Sequence, residues 1–237
     1  CGGDIWDAYL SGNILTVLVG DATGHGAPAA IVTAVAKSCF SSFNLIFSNS
    51  PLSPNDFLEK LNRVIYDSCK GQLLMTMSVI QLNLHSGEAL LSNAGHEAPL
   101  LLSAETEGIS NNKCEALFVR GERLGFSLDS KYENLKIQLS LEDTLLIYTD
   151  GISEAVNLDN KQFGERAGIH HCARQLMRAN RRTLVDHRNR HLSKPFHQLG
   201  IVTNQLCEAD CARKAGRARE SDGPAETDRK STRLNSS

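Results

Sequence analysis

The sequence predicts a mixed α+β fold in which antiparallel strand pairs are separated by two consecutive helices. An apolar run at residues 14–20 is followed by two stretches with helical spacing. Alternating apolar and polar residues then occur at 74–93 and again at 135–148, each time with a turn between two segments. A doubly wound sheet would instead alternate strand and helix along the whole chain, so that class is not favoured.

The first strand is predicted at residues 14–20, whose sequence ILTVLVG is apolar and rich in β-branched residues and leads directly to Asp21. A short loop then reaches Pro28, which suits the first turn of a helix because that position needs no N–H donor. This helix is predicted to bury a stripe that recurs every four residues. The stripe consists of Ile31, Val35, Cys39, Phe43 and Phe47.

The second helix is predicted to begin at Ser53-Pro54, with Asp56 three residues after the capping serine. Its apolar positions have helical spacing. They are Phe57, Leu61, Val64 and Ile65.

Two β-hairpins are predicted beyond the helices. Residues 74–84 and 88–93 flank a turn at 85–87, and a phase slip in the alternation near residue 79 predicts a β-bulge. Polar residues 104–114 predict a surface loop. Residues 135–139 and 144–148 predict the second hairpin, which leads to Asp150 and Gly151. Two apolar strands far apart in the sequence are therefore each followed by an aspartate.

The charge is divided unevenly along the 237 residues, although the formal net charge is only −2. Residues 1–166 contain 11 Lys and Arg against 20 Asp and Glu, whereas residues 167–237 contain 14 against 7 and a single aromatic residue, Phe196. The composition excludes collagen-like and wholly disordered chains, and the seven cysteines lack the spacing of a disulfide framework or a zinc site. With no signal sequence or uninterrupted apolar span, a cytoplasmic protein that binds neither membrane nor nucleic acid is expected.

Three acids are candidate metal ligands: Asp4, Asp21 and Asp150. A single aspartate beside glycine or at a loop is most simply a turn residue. Two of the three acids follow apolar strands, where an unpaired carboxylate is costly, so the three together indicate a shared cation. Oxygen ligands favour Mg or Mn over zinc. Two such ions about 4 Å apart can activate a water for in-line phosphoryl displacement. Hydrolysis of a phosphate ester is therefore predicted, with His25 as a basic group in the same loop as Asp21.

Four segments, in order, resemble the motifs of bacterial metal-dependent serine/threonine phosphatases of the PPM type, of the SpoIIE and RsbU kind. They are residues 2–7 (GGDIWD), 20–26 (GDATGHG), 93–100 (NAGHEAPL) and 148–155 (YTDGISEA), and residues 162–165 (QFGE) are similar to the next landmark of the family. The resemblance covers residues 1–166. It implies two antiparallel sheets packed as a sandwich flanked by helices, with a centre of two Mn or Mg ions at one edge.

The resemblance also implies roles for individual residues. Asp21 would bridge the two ions and Asp150 would hold one of them, which makes these two the catalytic residues. Asp4 and the backbone carbonyl of Ala22 would complete the metal ligands. The supporting residues would be Gly3, Gly24, His25, Gly26 and Gly151, with the glycines at 3, 24 and 26 keeping the backbone close to the metals.

Two further motif residues are assigned structural roles. His96 is predicted to be a packed, hydrogen-bonded histidine because its surroundings are apolar, and Asp7 to be a supporting or capping acid.

The function that the resemblance implies is hydrolysis of phosphoserine or phosphothreonine on a regulatory protein, for example an anti-sigma-factor antagonist, under the control of an upstream sensor or receiver domain. Two alternatives remain open. After Arg166 no aspartate precedes a late strand, where the family has its last metal ligand, so the domain could be an inactive phosphatase-like binding domain. Residues 24–29 (GHGAPA) also satisfy the loose G-x-G-x-x-A pattern of a dinucleotide-binding module.

Residues 167–237 are predicted to be an aberrant, disordered basic tail, and the phosphatase-like domain at 1–166 to lack both its start and its end. Residues 228–237 resemble the translation of a sequencing-library adapter, and a frame change soon after Arg166 would explain the shift in composition. A natural nucleic-acid-binding arm is the alternative, because the excess of positive charge could contact phosphates.

Overall fold

The computed structural model describes residues 3–103, 114–140, 143–150 and the strand 198–202. Gly151 and most of the predicted loop at 104–114 lie outside these residues. The elements in chain order are β1 (Asp4–Ser11), β2 (Ile14–Ala22), α1 (Ala27–Ile46), α2 (Pro54–Cys69), β3 (Met75–Asn83), β4 (Glu88–Ala94), β5 (Leu100–Leu102), β6 (Cys114–Ala116), β7 (Leu135–Gln138), β8 (Thr144–Tyr148) and β9 (Gln198–Val202).

The first sheet has five strands in the order β1-β2-β3-β4-β7, and every neighbouring pair is antiparallel. Its register is continuous through the phase slip near residue 79, where Val79 lies opposite Leu18 on one side and Ser92 on the other. The predicted bulge is therefore wrong. Consecutive residues of β3 are buried because both faces of this central strand are covered, so the alternation disappears without any extra residue.

The second sheet has the order β6-β5-β8-β9. β5 pairs antiparallel with β6 and β8, whereas β8 and β9 pair parallel. A parallel pair needs a long connection, and residues 149–197 separate these two strands. β9 belongs to the stretch predicted to be a tail, so five residues of that stretch pair with the second sheet. The other residues of the predicted tail lie outside the described part.

The predicted hairpin of residues 135–148 is wrong, because its two segments join different sheets. β7 pairs with β4 in the first sheet, and β8 pairs with β5 in the second. The burial of the two segments explains the separation. β7 alternates between half-buried and exposed positions, as at the edge of a sheet, whereas all five residues of β8 are buried and need cover on both faces.

The first sheet is covered on both faces, which produces two apolar layers. One layer lies between this sheet and the helices, where Leu18 and Met77 belong to the same cluster as Phe40 and Leu61. The other lies between the two sheets, and its buried members are Val17, Val19, Ile80, Leu91, Leu117, Leu145 and Ile147. The expected sandwich of two sheets flanked by helices is confirmed, with β9 as a parallel addition.

The predicted stripe of α1 is only partly buried. Val35, Cys39 and Phe43 are half-buried and pack against the core, whereas Ile31 is 60% exposed. The fully buried residues of the helix are Ala29, Val32, Ala36 and Phe40. A stripe spaced by four residues rotates by about 40° at each step because a helix turns about 100° per residue, so it cannot remain on one face. By length and composition alone α1 could also cross a membrane, a criterion that core helices of soluble proteins meet as well.

α2 begins at Pro54 as predicted and contributes a buried polar residue, Asn62. The Asn62 side chain donates to the carbonyl of Ser127 and accepts from the N–H of Gly125, both at 2.8 Å. It thereby ties the helix to the loop that follows β6.

The strand, loop and helix around residues 14–46 do not begin a dinucleotide-binding unit. That fold needs a parallel crossover after the helix, whereas β2 is antiparallel to both of its neighbours, β1 and β3. The described strands therefore do not support that alternative.

Candidate metal centre

The three acids singled out in the sequence converge at one edge of the sandwich. Asp4 begins β1, Asp21 lies near the end of β2, and Asp150 follows β8 by two residues. One carboxylate oxygen from each lies within 4.8 Å of the other two. All three residues are half-buried.

Strand register explains how the first two acids meet. Asp4 and Asp21 are directly opposite each other in the β1–β2 pair. Opposite residues of antiparallel strands project on the same face of the sheet with their Cβ atoms about 5 Å apart. Asp150 comes from the second sheet, so the packing of one sheet on the other is needed to bring it to this pair.

The environment of Asp21 disfavours its charged form. The pKa of Asp21 is raised to about 7, mainly by burial and further by repulsion from Asp4 and Asp150 and by a hydrogen bond with Asp4. The backbone of Ala22 offsets part of this effect. A bound cation would remove the repulsion that raises this pKa.

The backbone around Gly3 is packed against the same site. The N–H of Ala22 donates to the Gly3 carbonyl at 3.1 Å. A Cβ atom added to Gly3 would lie 2.5 Å from the Ala22 carbonyl oxygen and 2.6 Å from Asp21 Oδ1. Glycine is required here because a side chain would displace the candidate bridging acid.

The other two glycines of the motif are needed for a different reason. Gly24 and Gly26 have φ values of +91° and +78°, and a Cβ at either position would meet no atom within 4 Å. Their conformation therefore suits glycine because of the backbone angle and not because of close packing. His25, between them, is exposed, and no hydrogen bond or ion pair engages its ring among the described residues.

Sequence reasoning missed two threonines that support the centre. Thr149 is fully buried, and its hydroxyl donates to Asp4 Oδ2 at 3.4 Å. The hydroxyl of Thr33 on α1 lies 3.0 Å from the Gly3 carbonyl. The position of Thr149 directly before Asp150 could have indicated its role from the sequence. The contact of Thr33 with Gly3 could not, because it spans 30 residues and depends on how α1 packs.

The remaining motif residues lie outside the acid cluster. Asp7 forms an ion pair with Lys37 of α1 at 2.6 Å. His96 is hydrogen-bonded through Nδ1 to Thr76 at 2.9 Å, in the packed arrangement predicted for it.

The donor set fits a hard divalent cation. Carboxylate oxygens are the ligands that Mg and Mn prefer, and among the described residues this cluster contains neither His nor Cys. Three carboxylates this close together are costly without a counter-ion.

A model of the family described as Stage II sporulation protein E (SpoIIE) matches residues 11–202. The chain belongs to the SpoIIE family. The match includes Asp21 and Asp150, begins after Asp4, and continues beyond Arg166 through β9.

Similarity to other proteins supports the assignment to the SpoIIE family. The phosphoserine phosphatase RsbU of Bacillus subtilis (strain 168) is 24% identical over 152 residues, which cover 64% of this chain and 43% of that protein. The solved RsbU and RsbW domains of Rv1364c from Mycobacterium tuberculosis are 27% identical, with a TM-score of 0.60 over 76% of this chain and 47% of that one. RsbX, solved in complex with magnesium, shares the fold at 15% identity, with a TM-score of 0.53 over 76% of this chain and 81% of that one.

The chain spans less than half the length of the first two of these proteins.

Proposed function

We propose that this SpoIIE-family chain hydrolyses phosphoserine or phosphothreonine on a regulatory protein, with two Mn or Mg ions held by the acid cluster. The observation that carries the proposal is the convergence of Asp4, Asp21 and Asp150 within 4.8 Å. Similarity to a protein named phosphoserine phosphatase supports the reaction. A phosphorylated anti-sigma-factor antagonist as substrate and an upstream sensor or receiver domain rest on the motif resemblance. A cytoplasmic location is also proposed, and it rests on the sequence composition.

Each acid has a role that follows from its place. Asp21 interacts with both other acids, which suits a bridging ligand, while Asp4 and Asp150 would each hold an ion from one side. The Ala22 carbonyl is the further ligand that the resemblance implies. Divalent ions bound here would supply a water of lowered pKa and neutralise phosphate charge. Thr149 would hold Asp4 in place through its hydroxyl.

Phosphate release measures this function directly. The whole chain, stripped with a chelator, is given p-nitrophenyl phosphate or a phosphoserine peptide, with and without Mn or Mg. We expect hydrolysis that needs the metal and that falls to the rate without protein in Asp21→Asn. Asp129→Asn, at an exposed acid far along the chain, is the matched control and should retain the rate.

One alternative function has a specific observation in its favour. The described residues gather three acids at the centre, and the last acid implied by the resemblance has no counterpart in the sequence after Arg166. An inactive phosphatase-like domain would bind a phosphoprotein without releasing phosphate. Metal-independent hydrolysis that survives Asp21→Asn would contradict the two-metal proposal, whereas Mn binding without hydrolysis would favour the inactive domain.

A further inference from the structure

The segment that follows β6 returns to the first sheet and is held beside β3. The N–H of Leu124 donates to the Met75 carbonyl at 2.8 Å, and the Leu124 carbonyl accepts from the N–H of Met75 at 3.1 Å. A Cβ atom added to Gly121 would overlap the carbonyl oxygen of Asn93 in β4. Residues 121–124 are therefore fixed against the sheet by backbone contacts at both ends.

Side-chain alternation places Arg123 on the face of the sheet that carries the acids. Leu124 and Met75 belong to the apolar cluster on the helix side of the first sheet, together with Ala22. Successive residues of an extended segment project to opposite faces. Arg123 therefore projects to the other face, as Asp21 does, and it is exposed whereas Leu124 is fully buried.

Register sets the distance from Arg123 to the centre. Thr76 is directly opposite Asp21 in the β2–β3 pair. On the other side of β3, Leu124 forms an antiparallel bridge with Met75. The next pair along this bridge is Arg123 and Thr76. Neighbouring strands lie about 4.8 Å apart, so the Cα atoms of Arg123 and Asp21 are separated by about 10 Å.

The Arg123 side chain lies beside the centre. A Cβ atom added to Gly95 would lie 3.0 Å from Arg123 Cγ, so the stem of the side chain packs along the turn after β4. The position next to Thr76 is filled by the ring of His96, whose Nδ1 lies 2.9 Å from the Thr76 hydroxyl. Arg123 is therefore placed to bind a part of the substrate other than the phosphate at the proposed ions.

The guanidinium of Arg123 is available for a ligand. No ion pair or hydrogen bond engages it among the described residues, although residues 1–166 contain 20 Asp and Glu against 11 Lys and Arg. A guanidinium binds a carboxylate through two parallel hydrogen bonds. An extended peptide rises about 3.3 Å per residue, so a separation of about 10 Å corresponds to about three residues of a bound substrate.

We propose that Arg123 is a specificity-determining residue: its guanidinium binds an acidic side chain of the phosphoprotein substrate, about three residues away from the phosphoserine or phosphothreonine at the metal centre. The substrate is thus recognised by two anionic groups, the phosphate on the ions and a carboxylate on Arg123. This inference rests on the proposed function, because it concerns the substrate of the same site.

Synthetic peptides test this spacing. One phosphoserine peptide has Glu three residues before the phosphoserine, a second has Glu three residues after it, and a reference peptide has Gln at both positions. Phosphate release by the whole chain with saturating Mn gives kcat and KM. Fluorescence anisotropy of the labelled peptides gives dissociation constants that do not depend on hydrolysis. The variant is Arg123→Gln, and the matched control is Arg63→Gln at an exposed arginine of α2.

We expect the unaltered chain to bind at least one Glu peptide about 5-fold more tightly than the reference peptide, the upper range for an exposed ion pair. The same difference should appear in KM, with kcat unchanged. Arg123→Gln should bind all three peptides equally, whereas Arg63→Gln should keep the full preference. Hydrolysis of p-nitrophenyl phosphate, which has no flanking acid, should be equal in Arg123→Gln and the unaltered chain.

Three results would overturn the inference: no preference for either Glu peptide, a full preference retained in Arg123→Gln, or slower hydrolysis of p-nitrophenyl phosphate in Arg123→Gln, which would place Arg123 at the phosphate. If the unaltered chain releases phosphate from all three peptides equally well, only the role of Arg123 fails. If it binds a Glu peptide through Arg123 but releases no phosphate with Mn, the proposed hydrolysis fails and the docking role stands.

Discussion

Removal of the charge on Asp21 should stabilise the metal-free protein and make it insensitive to metal. Asp21→Asn keeps the shape of the side chain and removes the carboxylate whose oxygen lies within 4.8 Å of those of Asp4 and Asp150. Two unit charges at that distance repel by about 0.9 kcal/mol in bulk water and about 3.5 kcal/mol at an effective dielectric constant of 20. The half-buried site lies between these limits.

The effect depends on pH in a definite direction. The folded pKa of Asp21 is about 7, above the value of about 3.9 in an unfolded chain, so folding favours its protonated form. The free energy of unfolding that this preference contributes is fully present below about pH 4 and is lost as the pH rises through about 7. Solvent screens a half-exposed group and reduces this effect. The expected loss of unfolding free energy between about pH 5 and pH 8 is therefore about 1–2 kcal/mol. Asp21→Asn lacks this loss.

Thermal unfolding with a chelator, at about pH 5 and pH 8, measures the difference. The Tm advantage of Asp21→Asn over the unaltered chain should be about 2–8 °C larger at the higher pH, on the scale of about 2–4 °C per kcal/mol for a domain of this size. Saturating Mn, at about 100 times its dissociation constant, should stabilise the unaltered chain by about 2.7 kcal/mol and the variant very little. Asp129→Asn serves as the control for loss of a carboxylate elsewhere.

Two results would refute the reasoning. A Tm advantage of equal size at both pH values would show that the pKa of Asp21 is not raised by burial and by the neighbouring acids. Equal stabilisation of Asp21→Asn and the unaltered chain by Mn would show that the ion binds elsewhere.

Three further changes test the surroundings of the centre. Gly3→Ala should cost about 1–3 kcal/mol in urea unfolding and weaken Mn binding, because its methyl group would press on the Ala22 carbonyl; a variant as stable as the unaltered chain would contradict the close packing. Thr149→Val should weaken Mn binding by about 10-fold, because the hydroxyl that donates to Asp4 is lost; unchanged affinity in calorimetry would rule out that support. Asn62→Ala should lower the free energy of unfolding by about 2–3 kcal/mol, since it leaves two backbone groups of the loop after β6 unpaired; a change below about 0.5 kcal/mol, as at ordinary surface sites, would show that water replaces the amide.

Local patterns predicted the secondary structure well where the decisive interactions are local. The apolar run before Asp21 predicted β2, and Ser53-Pro54 predicted the start of α2. Capping, proline geometry and periodicity act within a few residues, so one sequence is enough to detect them.

Partners distant in the sequence could not be predicted in the same way. The buried face of α1 depends on where small residues such as Ala36 let the helix approach the sheet. The assignment of β7 and β8 to different sheets depends on β4 and β5, which no spacing within 135–148 reveals. The strand at 198–202 is likewise defined by its pairing with β8.

The sequence by itself determined which acids the chain places at strand ends, and the order of its motifs identified the type of site. Only the tertiary structure brought Asp150 of the second sheet to Asp4 and Asp21 of the first, through the apolar layer between the sheets. It also revealed the hydrogen bond that supports one of these acids, from the Thr149 hydroxyl to Asp4. The physical reason is that residue types and spacing specify the available chemistry, whereas the separation of ligands from different sheets is set by long-range packing.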